Sequence, residues 1–192
     1  MEFKKFVNED YLNEDILEEM KKSYLDRRVL KLDGFLKDEV YDELVKMLMD
    51  VEGTKIKVAD KYSYSKVDNL HGLERLFLSR EFLELFDFII DWKFEKCEIE
   101  IRKFKHGDYT LLHDSDERKG IEFIFIFTDK WDDSFGGQII YTDNLNKGRT
   151  FIFSIKGNSL ILIDRERLGR FVKYVNNLAG DRGFFLIFGR FS

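Results

Sequence analysis

The spacing of apolar residues changes period near the middle of the chain, and this change constrains the fold more than any other feature. Through about residue 90 the apolar positions recur at helical spacing. Leu12, Ile16 and Met20 stand four apart in the charged stretch from Tyr11 to Tyr24, and Val40, Leu44, Met47 and Leu48 share one face between Lys37 and Asp50. Phe82, Phe86 and Ile89 form a third stripe behind Ser79, which is placed to cap that helix. Such stripes are core-facing surfaces. Val29 to Leu32 interrupts them as a short strand closed by the Asp33–Gly34 turn. From Cys97 onward the period falls to two. Cys97, Ile99 and Ile101 alternate with Glu98, Glu100 and Arg102, and Ile121, Phe123, Phe125 and Phe127 share one phase of the next long strand.

Further short strands follow at Tyr109–Leu112, Gln138–Tyr141, Thr150–Ile155, Leu160–Ile163, Phe171–Val175 and Phe184–Phe188, separated by Gly, Asn and Asp turns. The expected fold is α+β, mainly β: a jelly roll (double-stranded β-helix) of about eight strands, preceded and buttressed by helices. Residues 1–96 are read as the helical extension and support, and 97–192 as the jelly-roll core of one compact unit. A chain of 192 residues suits one domain. Its 20 Phe predict a core with large aromatic fill, and the absence of Pro removes the commonest turn stiffener.

Charge and cysteine content exclude some roles. A formal charge of -5 argues against general binding to nucleic acid, which needs clustered positive charge. The single Cys97 makes no internal disulfide, so stability does not depend on an oxidising compartment. The N-terminal Met1–Lys5 stretch lacks the apolar run of a signal peptide, and no apolar run nears the roughly 18 residues of a membrane span. The expected setting is the cytoplasm, without membrane contact.

Of three histidines, His71, His106 and His113, only the last stands in a suggestive context. His113 ends a short strand and is followed by Asp114, Ser115, Asp116 and Glu117. Imidazole and carboxylate together suit Fe(II) and leave coordination positions open. The bland reading is a turn histidine hydrogen-bonded to Asp116. Gly136–Gly137 reads as a turn or bulge required by strand geometry, and Asp132–Asp133 as a solvated loop.

Several landmarks in order resemble the 2-oxoglutarate- and Fe(II)-dependent oxygenases, in their prolyl-hydroxylase-like branch. These are Phe77–Leu83, the Gly107–Asp108–Tyr109 turn leading to His113, Trp131 with Gly136–Gly137, Asn158–Ile163, and Arg182. Leu30 to Leu48 also looks like the strand and helix that precede the catalytic domain in that family. The resemblance implies a jelly roll holding iron by a His-x-Asp pair and a distal His, with an Arg about a dozen residues later binding 2-oxoglutarate. Laid onto this sequence, His113 matches the first ligand, while Ser115 stands at the Asp position and Arg170 at the distal His. Arg182 matches the co-substrate Arg. Phe104 stands where a tyrosine is expected, and the Phe125–Phe127 stretch has no phenol.

A guanidinium stays protonated and repels a dication, so Arg170 is no ordinary iron ligand. In the vacated space it could pair with Asp114 or Asp116, and with Arg182 on an adjoining strand it could form a metal-free anion site. The bland alternatives are an Arg170 that points to solvent and an Arg182 in a surface salt bridge. Three functions follow. The first is a pseudoenzyme without cofactor, binding a small anionic ligand or a protein partner. The second is an active dioxygenase acting on a prolyl or small-molecule substrate, its Fe(II) rebuilt on His113 with Asp114 or Asp116 and its 2-oxoglutarate held by Arg182. Halogenase-type relatives resemble this in lacking the carboxylate, though not in lacking the distal His. The third is a metal-independent enzyme using Arg170, Arg182, His113 and Asp116.

Overall fold

The computed structural model describes residues 3–68, 72–112, 120–143, 148–165 and 168–192. The N-terminal part supplies four helices: α1 (Glu14–Arg27), α2 (Asp38–Leu48), α3 (Glu74–Phe77) and α4 (Arg80–Ile90). Asn13 starts α1 by accepting from the N–H groups of Asp15 (2.9 Å) and Ile16 (3.4 Å), and left-handed Arg28 ends it. Ser79 caps α4 as its sequence position predicts, accepting from Phe82 N–H at 3.2 Å. Phe82, Phe86 and Ile89 are fully buried. On α2 the buried face runs through Val45 and Leu48, whereas Met47, expected on it, is 52% exposed.

The same part also supplies three strands, β1 (Val29–Asp33), β2 (Thr54–Val58) and β3 (Tyr62–Val67). The β2–β3 hairpin is absent from the sequence reading. The expected series of eight follows: β4 (Cys97–Lys105), β5 (Tyr109–Thr110), β6 (Ile121–Phe127), β7 (Ile139–Asp143), β8 (Thr150–Phe153), β9 (Ser159–Asp164), β10 (Leu168–Val172) and β11 (Gly183–Phe191). β10 lies three residues earlier than expected, which puts Arg170 mid-strand.

All eleven strands among the described residues belong to one curled antiparallel sheet, ordered β1-β9-β6-β11-β4-β3-β5-β10-β7-β8, with β2 on β3. The sheet turns over at β3, which pairs with β4 through Ser65–Val67 and with β5 through Tyr62 and Ser63. It therefore closes as a jelly roll with two cores. The helices pack on one layer through Phe77, Phe82 and Phe86 against Phe123, Phe125 and Phe127 of β6. The inside of the roll is filled by Phe104, Ile124, Ile126, Tyr141, Phe184 and Leu186, among others. β6 is apolar on both faces because it lies between the two cores, and Glu122 is the exception on its inner face.

Asn158 joins the N-terminal part to the roll. Its Oδ1 accepts from Leu36 N–H (2.8 Å), its Nδ2 donates to Leu36 O (2.9 Å), and its carbonyl accepts from Gly34 and Phe35. Its φ of 55° is one that asparagine tolerates. Asn158→Gly keeps that backbone and deletes only the side-chain bonds, and is expected to cost about 2 kcal/mol. The check is a lower urea midpoint at unchanged slope, and an unchanged midpoint would refute the clamp.

Candidate functional site

Strand phase brings four polar side chains together inside the apolar roll. Arg170 on β10 stands opposite Tyr141 on β7, so both point to the same face. Glu122, at the start of β6, reaches them from the facing layer, and Arg165 enters from the end of β9. Arg170 Nη1 donates to the two Glu122 oxygens at 2.9 and 3.0 Å. Arg165 Nη1 reaches Glu122 Oε2 at 3.3 Å, and the Tyr141 hydroxyl donates to Oε1. Arg170, Glu122, Arg165 and Tyr141 are 6, 2, 2 and 0% exposed. The Arg170 guanidinium also lies 4.0 Å from the centre of the Phe188 ring. Burying this carboxylate is tolerable because two cations and a phenol surround it.

Burial first, and then the Glu122 charge, raise the Tyr141 phenol well above its ordinary range, so it stays a neutral donor. Burial also pushes Tyr41 up to about 12 from 10.0 and Cys97 up to about 12 from 9.0. These groups hold their protons more tightly folded than unfolded. Their contribution is complete below the unfolded values and is lost as pH rises through the folded ones. The expected result is a urea midpoint that falls steadily between about pH 9 and about pH 12. A flat midpoint over that range would contradict it.

Outside the ion pair a cleft of about 450 Å³ opens at the mouth of the roll, walled by Tyr62, Tyr64, Glu100, Arg102 and Phe188. Arg102 binds Glu100 through Nε at 3.0 Å and Nη2 at 2.8 Å, and its guanidinium lies 4.4 Å from the Tyr64 ring centre. Burial would raise the Glu100 carboxyl, but Arg102 brings it below its ordinary value. At the opposite end the roll is plugged by rings. Phe104 stacks on Phe184 at 5.2 Å, and Trp131 meets Phe184 edge-on at 4.7 Å while its Nε1 donates to Gly136 O at 3.0 Å. Gly137, at φ +80°, lets this packing close, since a Cβ there would lie 2.8 Å from the Phe184 ring.

His71, His113, Asp114, Ser115 and Asp116 lie outside the described residues. Arg170 faces the interior, which overturns the solvent reading. Among the described residues it pairs with Glu122, because the inner face of β6 puts that carboxylate across from β10; its expected pairing with Asp114 or Asp116 lies outside the described residues. Arg182 does not join it. Arg182 is exposed just before β11, over Phe135 at 5.5 Å, in a depression shared with Lys105, Lys130 and Asp129. Phe188, the ring under Arg170, comes six positions later, which is about 20 Å of strand. β10 and β11 are also not neighbours in the sheet, so the two-guanidinium anion site is not formed. Phe125 and Phe127 face the helices, away from the roll interior, where Tyr64 and Tyr141 are the buried phenols among the described residues. The sequence reading missed Glu122, Tyr141 and Arg165. A lone carboxylate in the apolar run Ile121–Phe127 was the available signal.

Residues 52–192 match the family described as oxoglutarate and iron-dependent oxygenase degradation C-term. The chain belongs to that family. The mouse protein named prolyl 3-hydroxylase OGFOD1 is 34% identical over 85 residues, covering 42% of this chain and only 15% of that protein. The chain thus spans a small part of the length of this relative. Solved structures give the fold at low identity. A Pseudomonas putida prolyl-4-hydroxylase superposes with a TM-score of 0.66 at 12% identity, over 91% of this chain and 97% of that one. A Trichoplax adhaerens prolyl hydroxylase, solved with a hypoxia inducible factor peptide fragment, gives 0.60 at 12% identity, over 95% of each chain.

Proposed function

We propose that this chain is an oxygenase-type jelly roll whose centre is held by an internal ion pair where family resemblance implies iron, and that it serves as a ligand- or protein-binding module. The observation that carries this reading is Arg170, buried and hydrogen-bonded to Glu122, at a position that the family resemblance aligns with the distal ligand. The described donors here do not fit Fe(II). Glu122 is occupied by Arg170, Arg165 and Tyr141, and Glu100 by Arg102. Among the described side chains two guanidiniums face the one Glu122 carboxylate, so this cluster offers a dication no uncompensated negative charge.

The occupant of the mouth cleft is, on this reading, a small anionic ligand or a segment of a protein partner, with neither nucleic acid nor membrane involved. Among the described residues no helix is long and apolar enough to cross a membrane. A cytoplasmic setting belongs to the same proposal, and the raised Cys97 thiol agrees with a cysteine that does no redox work.

The test is anaerobic titration of the metal-stripped chain with Fe(II) by calorimetry, in excess 2-oxoglutarate. The expected result is no binding heat. Stoichiometric binding at micromolar affinity would overturn the proposal. If that binding vanished in His113→Ala, the site would be one rebuilt on His113, as an active dioxygenase requires.

A further inference from the structure

Three strands stand at margins of the sheet, and their open edges are protected differently. β1 carries Lys31 and Asp33, and β2 carries Lys55 and Lys57. Charges of this kind keep unpaired edge N–H and C=O groups from templating another strand. β8 reads Thr-Phe-Ile-Phe, with neither charge nor proline. Its register on β7 pairs Thr142 with Thr150, Tyr141 with Phe151, Ile140 with Ile152 and Ile139 with Phe153. Asp143 N–H donates to Arg149 O at 3.4 Å. By antiparallel alternation Phe151 and Phe153 then bond to β7, while the N–H and C=O of Thr150 and Ile152 turn to the open edge. Ile152 is 65% exposed, and among the described residues no strand lies beyond β8.

A cleft of about 630 Å³ adjoins this strand, lined by Phe151 of β8 and by Arg149 just before it. Arg27 and Arg28, at the end of α1, stand with Arg149 as its exposed charges, whereas Asp143 and Asp164 are half-buried. We infer that the β8 edge is a docking site for an extended acidic segment of a partner protein, added as a further strand with its carboxylates toward these arginines. A second copy of this chain fits less well. β8 has no carboxylate to offer, and self-pairing would bring guanidiniums together. The site is separate from the Glu122–Arg170 centre, so its fate does not bear on the iron reading.

The test uses the full chain and a fluorescent peptide alternating Glu and Val, with a Lys–Val peptide as control, read by anisotropy. Saturable binding of the acidic peptide alone is expected. Ile152→Pro removes an edge N–H that β7 does not use, so the fold survives, and it should weaken binding by about tenfold. Ile152→Glu, which keeps the backbone and sets a like charge against the peptide, and Arg149→Glu should weaken it similarly. No saturation at millimolar protein, equal binding of the Lys–Val peptide, or indifference to all three substitutions would overturn the proposal. So would a dimer in sedimentation that Ile152→Pro dissolves, which would assign the edge to a second copy.

Discussion

Arg170→Ala is expected to destabilise the chain by about 3 kcal/mol or more, because it strands a buried carboxylate. Glu122 would keep Arg165 at 3.3 Å and the Tyr141 hydroxyl, but would lose the cation that faces both of its oxygens at 2.9 and 3.0 Å. The substitution also removes the guanidinium from the Phe188 ring, a smaller loss of about 1 kcal/mol. The informative comparison is with the double variant Arg170→Met with Glu122→Leu. A buried ion pair gains little over well-packed apolar groups of similar size, but Glu122→Leu also takes the carboxylate from Arg165 and the Tyr141 hydroxyl. The double variant should therefore lose less than the two single losses added together, without returning to the parent. Urea midpoints for the four corners of this cycle measure the coupling. If Arg170→Ala lay within about 0.5 kcal/mol of the parent, as exposed substitutions do, Arg170 would be a surface residue and the ion pair would not hold the centre.

This cycle also tests how the roll tolerates charge where family resemblance implies a metal. In a pair made of protein groups alone, attraction is built in at folding and needs no loading. Removing one partner then weakens the fold whether or not metal is supplied. A metal centre behaves differently, since its stability rises with metal concentration. Repeating the Arg170→Ala measurement with and without added Fe(II) separates the two situations by a readout independent of turnover.

The fold was legible in the sequence where hydrophobic period was strong. Phe82, Phe86 and Ile89 announce α4, and the alternation from Cys97 announces β4, because burial on one face imposes a period on the residues that supply it. The β2–β3 hairpin escaped because Thr54–Val58 and Tyr62–Val67 are rich in Lys, Ser and Tyr, so its alternation carries little hydrophobic contrast. At the site, Arg170 was legible as a candidate for the interior but its partner Glu122 was not. The pairing with Glu122 is set by two strands 48 positions apart meeting across the roll, which no local pattern encodes. The position of Arg182 in the sequence matches a family landmark, but the turn before β11 leaves it on the rim, beside Phe135.

Phe82→Ala is expected to cost about 3–5 kcal/mol, a large part of the stability of a domain this size. The reason is its place among other rings. Phe82 is fully buried, with Phe86 at 4.7 Å, Phe123 at 5.0 Å and Phe77 at 5.4 Å between ring centres, and with Phe3, Phe35 and Phe191 just beyond 6 Å. These neighbours come from α3, α4, β6, β11 and the N-terminal segment, so no single element can move inward to close the space left by the ring. Phe88 on the same helix provides the control. It is 40% exposed, and Phe88→Ala should cost under about 1 kcal/mol. Phe123 carries the consequence to the site, since it lies on the helix-facing side of β6 one residue from Glu122 on the inner side. The helices therefore brace the strand that positions the buried carboxylate. Chemical denaturation of the two variants checks this directly. A loss for Phe82→Ala as small as that for Phe88→Ala would mean that the helices rest on the roll without sharing its core.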